Sequence, residues 1–213
     1  MKISAKNLSM SYRDGESDRT ILDHIELKID CTKPNILIGP SGSGKSTLLY
    51  LLAGLRKPTS GEIDYSEITG GKTLAPDRLR YEHFGFIFQK SYLLPYLTAL
   101  DNICLANKDK TLKEKGRDWL KRFGMEHLAQ KKPFQMSGGE CQRIAIIRAL
   151  VKDPDVIFAD EPTAALDRNN AVMIYELLQE VSAGKILVTA THDLSLFHGD
   201  ERILKIENCK VTT

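Results

Sequence analysis

The stretch 39-GPSGSGKSTLLYLLAGL-55 decides the fold, because it places a flexible loop directly before a helix. Three glycines and several serines surround Lys45, and the residues after Thr47 become apolar. Glycine costs backbone entropy on folding, so a loop this rich in glycine indicates that its backbone lies close to a bound group. The spacing from Gly39 to Ser46 fits GxxxxGK[ST], the pattern of a phosphate-binding loop.

This loop predicts a site for polyphosphate and Mg²⁺ at the start of a helix, and by itself it leaves kinases, GTPases and motor ATPases open. Its glycines let successive backbone N–H groups point inward and form an anion site at the helix N-terminus. Lys45 is expected to reach the β- and γ-phosphates, the Ser46 hydroxyl to ligate Mg²⁺, and Thr47 to donate near the α-phosphate. A Gly/Ser-rich loop that merely precedes a buried helix is the alternative interpretation. The residues assigned to the nucleotide here are Gly39, Pro40, Ser41, Gly42, Ser43, Gly44, Lys45, Ser46 and Thr47.

The composition is that of a globular chain without a membrane span. Its 213 residues are 42% hydrophobic, which suffices for one sizeable core. The net charge of +2 offers no electrostatic basis for a nucleic-acid partner. No apolar run approaches the ~18 residues of a membrane span, and the N-terminus lacks the apolar segment of a signal peptide. Four cysteines lie far apart without CxxC spacing, which favours a reducing compartment, so we expect a cytosolic protein.

Hydrophobic patterning predicts an α/β fold with an inserted helical stretch. Residues 2–8 and 21–29 alternate apolar and polar on either side of RDGES, which predicts two strands of an antiparallel lobe. From about Ser91 to Val151 the pattern is mostly helical. Further helices are predicted at 45–53 and about 169–181, and further strands at 35–39, 61–65, 84–88, 156–160, 185–191 and 202–206. We expect one domain over residues 1–213, with the helical subdomain at roughly 91–150.

Two carboxylates follow the apolar strand in VIFADE at 156–161. The carboxyl end of such a strand is where open α/β sheets bind ligands. Asp160 is placed to hold Mg²⁺ through a water molecule, and Glu161 is placed to polarise an attacking water. Two solvated acids at a strand end are the alternative, but the phosphate loop earlier in the chain favours the metal and water roles.

The segment MSGGE at 136–140 opens the helical stretch CQRIAIIRALV. Ser137 and Glu140 have the spacing of a capping box. A capped helix does not require Gly138 and Gly139, which lower helix propensity and expose the N–H groups of the first turn. The segment therefore predicts a second anion-binding helix start, which one nucleotide shares with the phosphate loop only if the two converge.

The order of these motifs resembles that in the ATP-binding subunits of ABC transporters. The phosphate loop, MSGGE followed by QR, and ADEPTAALD at 159–167 match the family over essentially the whole chain. The resemblance implies a P-loop NTPase core with an N-terminal antiparallel β lobe and an inserted helical subdomain. It also implies ATP hydrolysis and a head-to-tail homodimer that forms on ATP binding. Each ATP would then lie between one phosphate loop and the signature turn of the other protomer, which is Ser137, Gly138, Gly139 and Glu140.

The resemblance assigns roles to four further residues. Gln89, which follows FGFIF, matches the glutamine that senses Mg²⁺ and the attacking water. His192, in VTATHD, matches the histidine that contacts the γ-phosphate. Asp167 matches the loop that crosses the dimer interface, and Tyr12, in LSMSYRDG, matches the aromatic residue that stacks on adenine. By themselves, Gln89 would be taken for a surface residue and His192 or Tyr12 for a structural one.

The signature turn departs from the family pattern at two positions. Met136 stands where Leu is usual, which is a volume-conserving change. Glu140 stands where Gln is commoner, and it places a negative charge at a helix start, which favours the helix but lies close to a γ-phosphate. Slower hydrolysis or altered nucleotide affinity is the expected consequence, unless capping holds the carboxylate away.

The segment FGFIFQKSYLLPYLTALDNICL at 84–105 indicates a branch of the family. It resembles the ATPases of lipoprotein-releasing and of macrolide or antimicrobial-peptide efflux systems. The resemblance implies a separate integral-membrane permease as partner and a position on the inner face of the cell membrane. We expect the apolar run from Tyr92 to Leu97 to face that permease. Pro95 breaks any helix there, and exposed apolar surface marks partner sites. A loop buried within the chain is the alternative interpretation.

Two other functions compete with a transport ATPase at this stage. The first is a soluble nucleotide-dependent clamp, in which ATP-driven dimerisation regulates a partner unrelated to transport. The second is a small-molecule kinase, which gives no role to SGGE. The presence of Lys45, Asp160, Glu161 and His192 favours ATP turnover but does not say to what the turnover is coupled.

Overall fold

The structure is a computed structural model that describes residues 1–15, 17–106, 110–197 and 199–212. It contains two sheets, and helices lie on both faces of the larger one. The elements in chain order are β1 (Lys2–Asp14), β2 (Ser17–Asp30), β3 (Asn35–Ile38), α1 (Lys45–Leu52), β4 (Ser60–Asp64), α2 (Ser66–Thr69), α3 (Pro76–His83), β5 (Phe84–Ile87), α4 (Ala99–Ile103), α5 (Lys110–Arg122), α6 (Gly138–Leu150), β6 (Val156–Asp160), α7 (Arg168–Val181), β7 (Ile186–Ala190), β8 (Arg202–Glu207) and β9 (Lys210–Thr212).

The larger sheet carries the site at the carboxyl ends of its central strands. Its strand order is β5-β6-β7-β3-β8-β9, with the first five strands parallel and β9 antiparallel to β8. Successive residues of β6 point to opposite faces, so Phe158 packs in the cluster that contains α1, whereas Ile157 packs with α7. Burial on both faces explains why VIFAD is apolar up to Asp160 rather than alternating.

The antiparallel lobe has the strand order β2-β1-β4. Its hairpin is longer than the predicted strands at 2–8 and 21–29, because the pairing continues outward to Asp14 and Ser17. The alternation is lost where the hairpin becomes exposed on both faces, so the pattern did not reveal these outer residues. Of the predicted turn RDGES, Glu16 lies outside the described residues. Ile3, Leu8 and Leu22 of this lobe pack in the same core as α1.

The inserted helices have a core of their own. Leu100 of α4, Leu120 of α5 and Ile147 of α6 belong to one buried cluster. The fully buried amide of Asn102 fixes the preceding loop: it accepts from the Leu94 N–H at 2.7 Å and donates to the carbonyls of Leu94 and Thr98 at 3.1 and 3.0 Å. The segment between Gln89 and α4 is therefore irregular in backbone but held by specific bonds.

Several short elements were not predicted from the sequence. Helices α2 and α3 and strand β9 are brief, and their polar composition gives little periodicity. Strand β5 ends at Ile87, one residue before the predicted end at Phe88. Among the described residues, none of the helices has the length and apolar character needed to cross a membrane.

Candidate nucleotide site

The loop between β3 and α1 can take its shape only with glycine at two positions. Gly39 has φ +153°, and a Cβ there would lie 2.4 Å from the Ile206 carbonyl oxygen. Gly44, the residue that caps α1, has φ +105°, and a Cβ there would lie 2.9 Å from the side chain of Ile21. Because glycine offers no side chain to cap α1, the N–H groups of the first turn remain available to a ligand.

Lys45 is already folded over this loop. Its Nζ atom donates to the carbonyl oxygens of Gly39 at 2.8 Å and Pro40 at 3.0 Å. A lysine ammonium has three donors, so these two bonds place the charge at the loop and leave a donor for an incoming phosphate. The role of Lys45 as a phosphate ligand stays a prediction, and its position over the loop is the observation that bears on it.

The Asp160 carboxylate is held by two hydroxyl groups of α1. The Ser46 hydroxyl donates to Oδ1 and the Tyr50 hydroxyl donates to Oδ2, each at 2.9 Å. Burial raises the pKa of Asp160, which is only 2% exposed, and the two hydrogen bonds oppose that rise. Burial and the neighbouring Asp160 also raise the pKa of Tyr50 to about 12, so the phenol stays a donor at neutral pH.

Glu161 and His192 form a pair beside the phosphate loop. Glu161 has φ +47°, and its N–H donates to the Ala190 carbonyl at 2.8 Å, which turns its side chain away from the β6 direction toward β7. The Glu161 Oε1 atom lies 2.9 Å from Nδ1 of His192. This carboxylate, as hydrogen-bond partner and as charge, raises the pKa of His192. A left-handed φ is uncommon for glutamate, and residues in such sparsely populated conformations cluster at active sites, ligand clamps and switch regions.

Most of the residues predicted to bind the nucleotide of their own chain line one cavity, whereas Gly39, Pro40, Ser43 and Asp160 are not among the residues that surround it. The cavity measures about 560 Å³ and lies over the phosphate loop. Gln89 borders it from the end of β5, and Tyr12 borders it from β1, where the Arg56 guanidinium hydrogen-bonds to the phenol and lies over the ring. The residues that surround the cavity are Tyr12, Ile21, Ser41, Gly42, Gly44, Lys45, Ser46, Thr47, Gln89, Glu161 and His192.

The residues present fit a nucleotide with Mg²⁺. Hydroxyl and carboxylate oxygens, such as those of Ser46 and Asp160, are the ligand type that Mg²⁺ prefers. Within the described ranges, no group of three or more His, Cys, Asp or Glu side chains is arranged to hold a metal alone. Mg²⁺ is usually bound by one or two protein ligands together with substrate phosphates and water, so the site is suited to a metal that arrives with the nucleotide.

The signature turn lies at a second helix start, away from this cavity. Ser137 caps α6: its hydroxyl accepts from the Glu140 N–H at 3.2 Å, and the Glu140 carboxylate accepts from the Ser137 N–H at 2.7 Å. The predicted capping box is therefore confirmed. These bonds lower the pKa of Glu140 and hold its carboxylate back over the turn. None of the four signature residues is among those that line the cavity of the same chain.

Asp167, the other predicted interface residue, also has a local role. Its side chain accepts from the Asn170 N–H at 3.1 Å and caps α7. The neighbouring Leu166 lies against the signature turn, where a Cβ on Gly139 would come 3.3 Å from the Leu166 side chain. Asp167 and the signature turn thus lie near each other, and neither reaches the cavity of its own chain.

Three residues near the site were given no role by sequence reasoning. Gln142 of α6, 2% exposed, donates to the carbonyls of Phe88 and Pro162 at 3.0 and 3.3 Å. Arg148 of α6 donates to the carbonyls of Ser91 at 2.7 Å and Tyr92 at 2.9 Å. Tyr50 is the third. A polar residue inside an apolar helical run was the available signal for Gln142 and Arg148.

The chain is similar to known ATP-binding proteins over nearly its whole length. The family model described as ABC transporter matches residues 22–164. The lipoprotein-releasing system ATP-binding protein LolD of Idiomarina loihiensis is 40% identical over 97% of this chain and 94% of the relative. LolD of Syntrophotalea carbinolica is 38% identical over 99% of this chain and 96% of the relative.

Two solved structures with the same fold are described as dimeric. A post-hydrolysis state of the ATP-binding cassette MJ0796, dimeric and bound to ADP and Pi, has a TM-score of 0.89 and 34% identity. A second dimeric structure of MJ0796, described as a bacterial ABC transporter cassette, has a TM-score of 0.89 and 35% identity. Each comparison covers 99% of this chain and 97% of the other.

Proposed function

This chain belongs to the ABC transporter family and is an ATP-hydrolysing subunit of a transporter, and on that premise we propose that it powers a separate membrane permease that releases lipoproteins. The convergence of Lys45, Ser46, Gln89, Glu161 and His192 on one cavity is the observation that carries the ATPase assignment. The similarity to two LolD proteins over nearly full length supports the lipoprotein branch. The subunit then works at the inner face of the cell membrane.

The side chains of the cavity divide the reaction between them. Lys45 and the N–H groups that start α1 hold the phosphates, and Tyr12 stacks on the adenine. Ser46, Gln89 and, through water, Asp160 would hold Mg²⁺, which would supply positive charge against the phosphates. Glu161 orients a water molecule and accepts its proton, while His192 donates to the γ-phosphate. For both side chains to face the nucleotide, the hydrogen bond between His192 and Glu161 has to break when the nucleotide binds.

The signature turn completes the site of a second protomer. Its helix start, with the positive end of the α6 dipole, lies outside the cavity of its own chain, which a head-to-tail dimer explains. Ser137, Gly138 and Gly139 would approach the γ-phosphate bound to the partner, with Asp167 at the same interface. The carboxylate of Glu140 is bonded to Ser137, so it is kept from facing that phosphate directly.

The permease is proposed to dock on the apolar segment that follows Gln89. Tyr92 and Tyr96 are 63% and 67% exposed, as expected from the sequence, whereas Leu93 and Leu94 are half-buried. Leu93 packs against the core of the helical insertion. Aromatic residues are enriched in interface cores, so Tyr92 and Tyr96 are the proposed contacts. Arg148 ties this segment to α6, which connects docking to the nucleotide site.

Co-purification with the permease tests this proposal. The prediction is that Tyr96→Asp abolishes capture of a lipoprotein-releasing permease while ATP affinity of the isolated subunit stays within twofold of wild type. Leu94→Asp is expected to have the same effect, with some loss of stability because Leu94 is half-buried. Met173→Asp, on the exposed surface of α7, is the matched control and should retain capture. Normal assembly and transport with both substitutions would refute the docking site.

A further inference from the structure

Tyr50 makes a contact that the proposed ATPase mechanism does not use. It lies one helical turn after Ser46 on α1, and side chains at i and i+4 share one face of a helix. That face holds both oxygens of Asp160, since Ser46 donates to Oδ1 and Tyr50 donates to Oδ2. Helix α1 therefore holds both oxygen atoms of the Asp160 carboxylate.

The Tyr50 ring is fixed by its neighbours. Its centroid lies 5.6 Å from that of Phe86 and 6.4 Å from that of Phe88, which directly precedes Gln89. The Arg56 guanidinium lies 6.0 Å from the ring centroid. A phenol positioned in this way directs its hydroxyl with little rotational freedom, which distinguishes it from a hydroxyl on a mobile surface side chain.

We propose that Tyr50 is a positioning residue for Mg²⁺. Its hydroxyl fixes the Asp160 carboxylate in the orientation that would receive a water ligand of the metal. Ser46 would hold Mg²⁺ through a lone pair of its hydroxyl oxygen, which leaves the hydroxyl proton free to donate to Oδ1 as it does here. Tyr50 occupies one lone pair of Oδ2 and prevents rotation of the carboxylate plane. Without it, a buried oxygen loses its donor and the carboxylate can turn, so the metal is bound less well.

Tyr50→Phe tests this role because it removes only the hydroxyl and keeps the ring. The full chain is titrated with ATP in EDTA and then at graded Mg²⁺ concentrations, with binding measured by calorimetry. Outer-shell partners of metal ligands typically change metal affinity by about 10–100-fold. Because Asp160 acts through water, we expect the lower end: the Mg²⁺ concentration for half-maximal tightening of ATP rises about tenfold. The ATP affinity in EDTA is expected to stay within about twofold.

Tyr65→Phe is the matched control. The Tyr65 hydroxyl also bonds to α1, donating to the Leu52 carbonyl at 3.0 Å, and its ring packs 5.7 Å from that of Phe84. Its hydroxyl bonds to carbonyl groups of α1 and not to Asp160. Loss of this hydroxyl should therefore leave the Mg²⁺ dependence unchanged. Thermal unfolding of both variants checks that the fold is kept. Tyr50→Leu, which removes ring and hydroxyl, should show at least the Mg²⁺ effect of Tyr50→Phe.

The outcomes separate this inference from the proposed function on which it rests. An unchanged Mg²⁺ requirement in Tyr50→Phe would overturn the inference. Equal losses of affinity with and without Mg²⁺, or the same shift in Tyr65→Phe, would also overturn it, since they indicate general loosening of α1. If wild-type protein binds ATP without any Mg²⁺ dependence, the proposed nucleotide site itself fails.

Discussion

Helices α1 and α6 both begin at a glycine-rich turn, but their N-termini differ in what surrounds them. The start of α1 is capped by Gly44, which has no side chain, and ten of the predicted site residues border the cavity above it, among them Lys45, Glu161 and His192. At the start of α6, the capping box occupies the N–H groups of Ser137 and Glu140 and leaves those of Gly138 and Gly139 outside it. None of the four residues of the signature turn lines the cavity.

Under the proposed function, the difference corresponds to the two halves of a composite site. The start of α1 carries the chain's own side chains for phosphate, metal and water. The start of α6 presents N–H groups and a stable turn to something outside the chain. The proposed head-to-tail dimer would place one such helix start on each side of a nucleotide, and the solved structures of two similar cassettes are dimeric.

The largest expected effect comes from the α1 side of the site. Glu161→Gln should leave ATP binding intact but lower kcat by about 10²–10⁴-fold, since general-base catalysis contributes about that factor. The unhydrolysed nucleotide should then trap a dimer. Phosphate release and gel filtration with ATP measure the two effects.

Glu176→Gln is the matched control for this change. Glu176 lies exposed on α7, outside the cavity, so the same atom replacement should leave hydrolysis unchanged. A fully active Glu161→Gln protein would contradict the assignment of Glu161 as the base.

The next effect comes from the α6 side. Ser137→Arg places a bulky cation on the signature turn, so we expect ATP binding by the monomer to persist while ATP-dependent dimerisation and hydrolysis are lost. Light scattering with and without ATP measures the oligomer. Thr111→Arg, at an exposed position of α5, is the control. A stable dimer without nucleotide, unaffected by Ser137→Arg, would argue against a composite site.

A smaller effect is expected where the two regions are joined. Gln142→Met removes the donor that holds the Phe88 and Pro162 carbonyls, which flank Gln89 and Glu161. Leaving buried carbonyls unpaired should lower the free energy of unfolding by about 1–3 kcal/mol. Thermal or urea unfolding measures the change, and Gln130→Met, at an exposed position, should stay within about 0.5 kcal/mol. Equal stability of both variants would mean that Gln142 does not carry this connection.

The smallest expected effect is on the stability of the fold at low pH. The folded-state pKa of Glu140 lies below its ordinary value of 4.5, because the Ser137 N–H and hydroxyl bond to the carboxylate. Its contribution to stability is thus present above about pH 4.5 and is lost as the pH falls through the lower folded-state pKa. Glu140→Gln should be slightly less stable than wild type at pH 7, and the difference should shrink below pH 4.5. A difference in melting temperature that stays constant from pH 7 to pH 3 would contradict this.

Sequence reasoning succeeded where the function depends on local spacing. The phosphate loop, the strand that ends at Asp160 and the capping box of Ser137 and Glu140 each need only neighbouring residues, and all three occur where they were predicted. The roles of Gln89 and His192 were assigned through the family resemblance, because no local pattern distinguishes these two residues from surface residues. Their position at the cavity depends on the order of β5, β6 and β7 in the sheet.

The sequence by itself determined the family, the phosphate loop and the fold class, because these follow from short motifs and from the periodicity of buried residues. Only the tertiary structure decided which residues from distant segments meet. Tyr50 contacts Asp160 across 110 positions of sequence, and Gln142 reaches Phe88 across 54. Such contacts depend on how α1 and α6 pack against the sheet, and a single side chain in an apolar helix carries no local signal of its partner.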